Sequence, residues 1–162
     1  MQVSCDLVDW KWLKGLPGPR ARCDVFLEEP VPGKVVHCSA VVPKWDISAL
    51  THDEVADALE SLADESSGAK ARLLRTGLMC VITMEGDPDE LGIHAESGCS
   101  YATLSPKRVS AAARALDKLD LAAVARELDP RRRKAVERYL NQWAAVIRRA
   151  SETGMGIVAH YG

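Results

Sequence analysis

Histidine and cysteine side chains are the groups in this chain best suited to nucleophilic, acid–base or metal chemistry. The five cysteines include no C-x-x-C pair and lie at positions 5, 23, 38, 80 and 99. A zinc site needs thiolates and imidazoles to converge within about 2.3 Å of the ion. His37 and Cys38 are adjacent, so on a strand they point to opposite faces. The sequence therefore predicts no metal site and no cofactor, and it favours free, buried thiols in a reducing compartment.

Cys99 is the best-placed candidate for a cysteine nucleophile, because it follows Gly98 and lies close to His94. Such a cysteine needs a neighbouring base and some exposure to form the thiolate. The alternative, which we favour, is a small buried residue at the start of a strand. Cys80 could join His94 and Cys99 as a metal ligand if their strands were neighbours, but it lies in an apolar run that is typical of a core.

His37, His94 and His160 each lie in or beside a predicted strand, with apolar residues around them. Imidazole titrates near neutral pH, so each of these side chains could serve as a general base. A histidine hydrogen-bonded within the sheet is the plainer alternative. His160 would suit catalysis if its strand were central and its tip opened into a pocket. The catalytic candidates are therefore His94, Cys99 and His160.

Four tryptophans stand in a chain that has a single phenylalanine. Trp143 falls on the apolar face of a predicted helix, whereas Trp10, Trp12 and Trp45 fall in predicted loops. Loop tryptophans often line pockets or interfaces, and they also cover the open edges of small sheets. We weigh these two alternatives equally. Trp10, Trp12, Trp45 and Tyr101 are the aromatic binding candidates.

Charge is distributed unevenly, although the net charge is only −2. Residues 1–104 carry 9 Lys and Arg against 17 Asp and Glu, and residues 105–162 carry 12 against 6. The two parts attract each other, or each meets a charged partner. On a helix the basic run at 131–134 fans around the axis, and no aromatic interleaving accompanies it. This argues against nucleic-acid binding and leaves Arg131 and Arg132 as candidate contacts for an acidic partner.

The common enzyme signatures are absent from the sequence. It contains no phosphate-binding glycine loop, no G-x-S-x-G and no H-E-x-x-H. Asp87, Asp89 and Glu90 belong to a Gly-Asp-Pro-Asp-Glu stretch, which is more typical of a solvated turn than of a cation site.

The first strand is indicated by alternation, since Val3, Cys5 and Leu7 are separated by polar residues. Residues 78–84 form a continuous apolar run, which is typical of a strand covered on both faces. The other predicted strands cover residues 22–28, 34–42, 100–104 and 155–161.

Helix signals are strongest where a capping residue precedes an apolar pattern. Thr51 and Glu54 make a capping box. Asp120 caps a short helix, and Gly154 ends the longest one. The predicted helices begin near residues 51, 69, 106, 120 and 130.

The C-terminal part, from Leu104-Ser-Pro-Lys-Arg-Val109 onwards, resembles the YfbM-like family of small, uncharacterised bacterial proteins. In that family a short strand leads into an L-[ST]-P-x-x-V helix start. An Ala/Leu-rich helix and an Asp-led segment follow, and an aromatic-bearing helix then runs into an apolar strand. The matching residues are Leu104, Ser105, Pro106, Val109, Leu116, Leu121, Asp129, Pro130, Tyr139, Trp143, Ala150, Gly154, Ile157 and Val158. The resemblance covers residues 101–162 and implies no catalytic residues, because the family has no agreed ones.

The order of elements favours an α+β fold, with a mixed or antiparallel sheet of about five to six strands packed against C-terminal helices. We expect one domain over residues 1–162. The first ten residues lack the basic lead and apolar run of a signal peptide, and no apolar stretch approaches the ~18 residues of a membrane helix. We therefore expect a cytoplasmic protein that does not enter membranes.

Two functions remain open from the sequence. The first is a small binding or accessory protein that recognises a protein or peptide partner through loop tryptophans and complementary charge, with a homodimer as one form. The alternative is a small enzyme or metal-dependent catalyst with a site near His94, Cys99 and His160.

Overall fold

A computed structural model describes residues 3–42, 50–83, 91–93 and 100–161 of the chain. Its strands are β1 (Val3–Val8), β2 (Val35–His37), β3 (Ser100–Leu104) and β4 (Gly156–Tyr161). Its helices are α1 (Trp10–Gly15), α2 (Pro19–Asp24), α3 (Cys38–Val41), α4 (His52–Glu65), α5 (Gly68–Leu74), a π-helix (Arg75–Met79), α6 (Cys80–Ile82), α7 (Pro106–Leu116), α8 (Leu121–Leu128) and α9 (Arg133–Thr153). None of the described helices has the length and apolar character needed to cross a membrane.

The sheet is antiparallel throughout and has the strand order β2-β1-β4-β3. β1 and β4 come from opposite ends of the sequence, and they pair from Val3 opposite Tyr161 to Val8 opposite Gly156. The α+β class is confirmed. The expectation of about five to six strands is wrong for the described residues, which form four.

Two predicted strands prove to be helical, which accounts for there being four described strands where about five to six were expected. A strand was expected over residues 78–84, of which the structure describes 78–83. There the π-helix continues into α6, and the side chains of Leu78, Met79 and Ile82 are all buried. A continuous apolar run indicates burial on all sides, which a core helix satisfies as well as a central strand. Residues 22–28 likewise lie in α2 and the turn after it.

The two other N-terminal predictions also need correction. The strand expected over residues 34–42 has only the three residues of β2, because α3 starts directly after it with His37 as its N-cap. The loop expected around Trp10 and Trp12 is α1, which begins where Asp9 Oδ1 accepts a hydrogen bond of 3.0 Å from the Trp12 amide.

The predicted capping residues are confirmed at the starts of two helices and at the end of a third. Thr51 and Glu54 form the capping box that begins α4. Asp120 Oδ1 accepts a hydrogen bond of 3.1 Å from the Ala123 amide at the start of α8. Gly154 ends α9 with a φ of 66°, a left-handed conformation that glycine adopts without steric cost, and β4 follows.

The inner face of the sheet carries the odd-numbered residues of β1, namely Val3, Cys5 and Leu7. These side chains pack with helices α4 to α9 in the main core. Trp143 of α9 is among the largest side chains buried there. Alternation along β1 and helical periodicity along α9 supply the two apolar surfaces that meet.

The outer face of the sheet is covered at one end by α1, α2 and residues 91–93, which form a smaller apolar cluster with Val8 and Val158. Arg22 links α2 to residues 91–93, since its Nη1 donates a hydrogen bond of 2.8 Å to the Leu91 carbonyl oxygen. Trp10 lies directly on Gly156, where a methyl group would overlap the indole ring. The other end of the outer face holds polar side chains.

Candidate functional site

Five side chains form a polar cluster at this second end of the outer face: Ser4, Asp6, His37, Tyr101 and His160. Strand alternation places Ser4 and Asp6 on the outer side of β1. The register sets Asp6 opposite His37 on β2, and it sets His160 on β4 between Ser4 and Tyr101. All four strands therefore contribute to one cluster.

The shortest contact of the polar cluster joins Asp6 to His37. Asp6 Oδ1 and His37 Nδ1 lie 2.5 Å apart. The Asp6 residue is only 7% exposed, whereas the His37 side chain is 54% exposed. The pair therefore links a buried carboxylate to an imidazole that solvent can reach.

The position of His37 is fixed from both ends of β2. Asp9, next to the end of β1, accepts a hydrogen bond of 2.7 Å from Lys34 Nζ just before β2 begins. At the other end, Cys38 is buried in the main core as the first residue of α3. His37 is held between these two anchors, opposite Asp6.

His160 forms the second half of the polar cluster. Its ring stacks on the ring of Tyr101, with centroids 4.9 Å apart and an interplanar angle of 20°. Its Nδ1 lies 3.4 Å from Ser4 Oγ. Its Nε2 is buried, and no hydrogen-bond partner for it lies within the part of the chain that the structure describes. Buried polar atoms without a partner are rare in folded proteins.

Burial is the main influence on the acid–base behaviour of Asp6. Removal from water raises the pKa of the Asp6 carboxyl above its ordinary value of 3.8. The hydrogen bond and charge of His37, and then the charge of His160, act in the opposite direction and lower this pKa. Desolvation is the larger effect, so Asp6 holds its proton more tightly in the folded chain than in the unfolded chain.

The chemistry open to this arrangement is proton transfer. A carboxylate that accepts from Nδ1 holds the imidazole in one orientation and leaves Nε2 to act on another molecule. Across residues 3–42, 50–83, 91–93 and 100–161, no three His, Cys, Asp or Glu side chains are arranged to hold a metal ion.

Comparisons with protein-family models, curated proteins and solved structures found no match. The resemblance to the YfbM-like family stays a prediction.

The structure brings together two of the candidates named from the sequence, His160 and Tyr101, which stack on each other. Trp10 and Trp12 are partly buried against the apolar cluster of the outer face. His94, Cys99 and Trp45 lie outside the described residues.

The two arginine candidates lie apart from the polar cluster, on the helical side of the molecule. Arg132 donates to both carboxylate oxygens of Glu54, at 3.0 and 3.2 Å, and to Asp129 Oδ2 at 2.7 Å. Its guanidinium joins the capping box of α4 to the turn before α9. Arg131 is exposed, and its amide donates to Asp129 Oδ1 at 3.0 Å.

Sequence reasoning missed Ser4 and Asp6 as site residues. Their only local signal is that they alternate with apolar residues, which also describes any solvent-facing strand position. What distinguishes Asp6 is its burial, and this depends on β2 and β4, which pair with β1 on either side of it. Sequence reasoning did name His37 as a histidine suited to general-base work, but not its carboxylate partner.

Proposed function

We propose that the protein is a small enzyme that works by acid–base catalysis on the outer face of its sheet, with His37 as the group that accepts and returns the proton. The observation that carries this proposal is the 2.5 Å contact between a carboxylate that is 7% exposed and an imidazole that is 54% exposed. Burial of an ionisable group is costly for a fold, so such groups concentrate at functional sites.

In the proposed reaction, His37 Nε2 takes a proton from a hydroxyl group, either of water or of a bound substrate. Asp6 keeps the ring in place through Nδ1 and stabilises the imidazolium that forms. The deprotonated oxygen then forms a bond to the electrophilic carbon or phosphorus of the substrate while the bond to the leaving group breaks, and His37 Nε2 returns the proton to that group. Positioned proton transfer of this kind contributes about 10²–10⁴-fold to a rate.

Ser4, Tyr101 and His160 lie to one side of the Asp6–His37 pair, where they provide a hydroxyl group, an aromatic ring and a second imidazole. These groups offer polar and stacking contacts that would orient a polar substrate. The enzyme alternative from the sequence placed a site near His94, Cys99 and His160. The proposed site keeps His160 and has Asp6 and His37 in place of His94 and Cys99.

The first test measures the state of the imidazoles by long-range ¹H–¹⁵N NMR. We expect neutral His37 to carry its proton on Nδ1, and we expect Asp6→Asn to reduce this preference. The second test assays hydrolysis of p-nitrophenyl esters, phosphates and glycosides. His37→Gln and Asp6→Asn should each lower the activity at least about tenfold, whereas Ser39→Ala, an exposed position in α3, serves as the matched control.

Two results would overturn the proposal. One is a neutral His37 protonated on Nε2, since Asp6 would then not orient it. The other is hydrolytic activity that His37→Gln leaves unchanged while the variant remains folded.

Recognition of a protein or peptide partner through tryptophans and charge stays a prediction. Trp10 covers Gly156 in the outer apolar cluster, and Arg132 is engaged with Glu54 and Asp129. Leu27 is 76% exposed, but isolated apolar side chains are common on protein surfaces. A buried carboxylate is the more informative observation, so we rank the acid–base site first. A homodimer and a cytoplasmic location also stay predictions.

A further inference from the structure

A cavity of about 260 Å³ lies where the π-helix, the end of β3 and α7 meet. It is lined by Arg75, Thr76, Cys80, Leu104, Arg108 and Ala111. Cys80 and Leu104 belong to the main core, so this cavity lies on the inner side of the sheet. It is separate from the polar cluster on the outer face.

Two arginines from different elements line this cavity, Arg75 from the π-helix and Arg108 from α7. Arg75 Nη2 also lies 2.7 Å from Asp64 Oδ1, and the side chains are 42% and 73% exposed. An ion pair this exposed is weak and screened by solvent, so Arg75 can share its donors with a second anion. Each arginine can therefore keep its other contacts and still bind an anion in the cavity.

The start of α7 adds positive potential next to the two arginines. Ser105 is the N-cap, and its side chain makes no capping hydrogen bond. α7 runs for 11 residues, so its first turn carries the partial positive charge of a helix N-terminus. Thr76 lines the same cavity, and its hydroxyl group is a further potential donor.

The walls of the cavity are held rigidly by the contact between the π-helix and α7. Gly77 lies so close to α7 that a Cβ atom there would be 3.3 Å from Ala115 Cβ and 3.4 Å from Leu119 Cδ1. Cys80 Sγ donates a hydrogen bond of 3.1 Å to the Thr76 carbonyl oxygen, which braces the widened turn. π-helical turns of this kind recur at functional sites. The two arginines are therefore presented on a preformed frame.

We propose that this cavity binds a phosphate-sized anion, either inorganic phosphate or the phosphate group of a small monoester. Two guanidinium forks and a helix N-terminus match the several oxygens of a phosphate group, and the apolar side chains of Leu104 and Ala111 shield one side of it from water. The proposal concerns a second site and does not depend on the acid–base site.

The test is a ¹⁵N–¹H NMR titration of the full chain with inorganic phosphate and, separately, with phenyl phosphate. The amides of Thr76 and Ala111 should shift with a Kd of about 1 mM or tighter. Arg75→Gln and Arg108→Gln should each weaken binding about tenfold, because each removes a charge-assisted donor pair. Arg114→Gln changes an exposed arginine of α7 that does not line the cavity, and it should bind as the unaltered chain does.

The same spectra show whether each variant is folded. Tighter binding of phenyl phosphate than of phosphate would identify a monoester ligand, and equal binding would identify the free anion. The proposal fails if no resonance of the cavity residues shifts, or if Arg108→Gln and Arg114→Gln weaken phosphate binding equally.

Discussion

The two faces of the sheet are equally well buried near β1 but differ in what they bury. On the inner face, Cys5 and Leu7 pack into the main core with the helices. On the outer face, Asp6 between them is 7% exposed and faces polar neighbours. The inner face follows the ordinary rule of apolar burial, whereas the outer face breaks it. Departures of this kind are expected at functional sites.

The polar groups of the two faces also differ in how far solvent reaches them. In the main core, His52 Nδ1 lies 2.5 Å from the Tyr139 hydroxyl, and the Tyr161 hydroxyl donates to the Val81 carbonyl oxygen. Burial lowers the pKa of His52, which favours its neutral form. On the outer face, His37 is paired with Asp6 and has a side chain that is 54% exposed. The core network is typical of structure, and the outer cluster is typical of a site.

The largest effect should come from the inner face. Trp143→Ala removes a fully buried indole, and it should lower the free energy of unfolding by about 3–5 kcal/mol. Urea denaturation followed by circular dichroism measures this loss. Leu27→Ala, at an exposed position, should change stability by less than about 0.5 kcal/mol. Similar losses in both variants would contradict the assignment of the core.

A smaller loss should follow from crowding the outer apolar cluster. A methyl group on Gly156 would overlap Trp10 and lie 2.8 Å from the Leu104 carbonyl oxygen. Gly156→Ala should therefore cost about 1–3 kcal/mol in the same denaturation assay. Gly15→Ala is the matched control, since a methyl group there meets nothing within 4 Å. An unchanged Gly156→Ala would show that α1 does not hold the position we describe.

Asp6→Asn sharpens the difference between site and structure. The substitution removes the buried charge of Asp6. His37 loses its carboxylate partner, but its side chain is exposed, so water can replace the lost contact. Stability at pH 7 should stay within about 1 kcal/mol or rise, while activity falls. His37→Gln should be the more destabilising of the two, because it leaves the buried carboxylate without its imidazole. A loss above about 2 kcal/mol in Asp6→Asn would indicate a structural role.

The smallest effect concerns pH: the contributions of two carboxyl groups, Asp6 and Glu54, to stability should change in opposite directions as the pH rises. Because the folded pKa of Asp6 is raised above 3.8, its contribution to stability is greatest below that pH and declines as the pH rises through the raised value. Hydrogen bonds from Arg132, and then from Thr51, lower the pKa of Glu54 from 4.5 to about 2, so its contribution is present above pH 4.5 and is lost as the pH falls towards 2.

Denaturation from about pH 2 to pH 7 separates the two groups. Asp6→Asn should gain stability relative to the unaltered chain as the pH rises. Glu54→Gln should lose stability over the same interval, since its salt bridge with Arg132 forms in that range. Parallel curves for the two variants would refute the opposite signs.

Much of the helical layer could be predicted because its signals are local. Thr51 and Asp120 accept hydrogen bonds from amides three residues away, and Gly154 ends α9 through its own backbone conformation. These interactions lie within one turn of chain, so the residues that cause them are adjacent in the sequence. His160 and Tyr101 could be named from their types, but their stacking could not.

The identity of the 78–84 segment and the composition of the polar cluster depended on distant neighbours. An apolar run is buried equally well as a helix or as a strand, and packing of Gly77 against α7 accompanies the helix. Ser4 meets His160 only because β1 pairs with β4 in one register, and a shift by one residue would turn Ser4 and Asp6 into the core. By itself the sequence determined the capped helices and the alternation of β1, because those follow from neighbouring residues. Tertiary structure alone decided which polar side chains became buried together, because burial depends on every element that covers them.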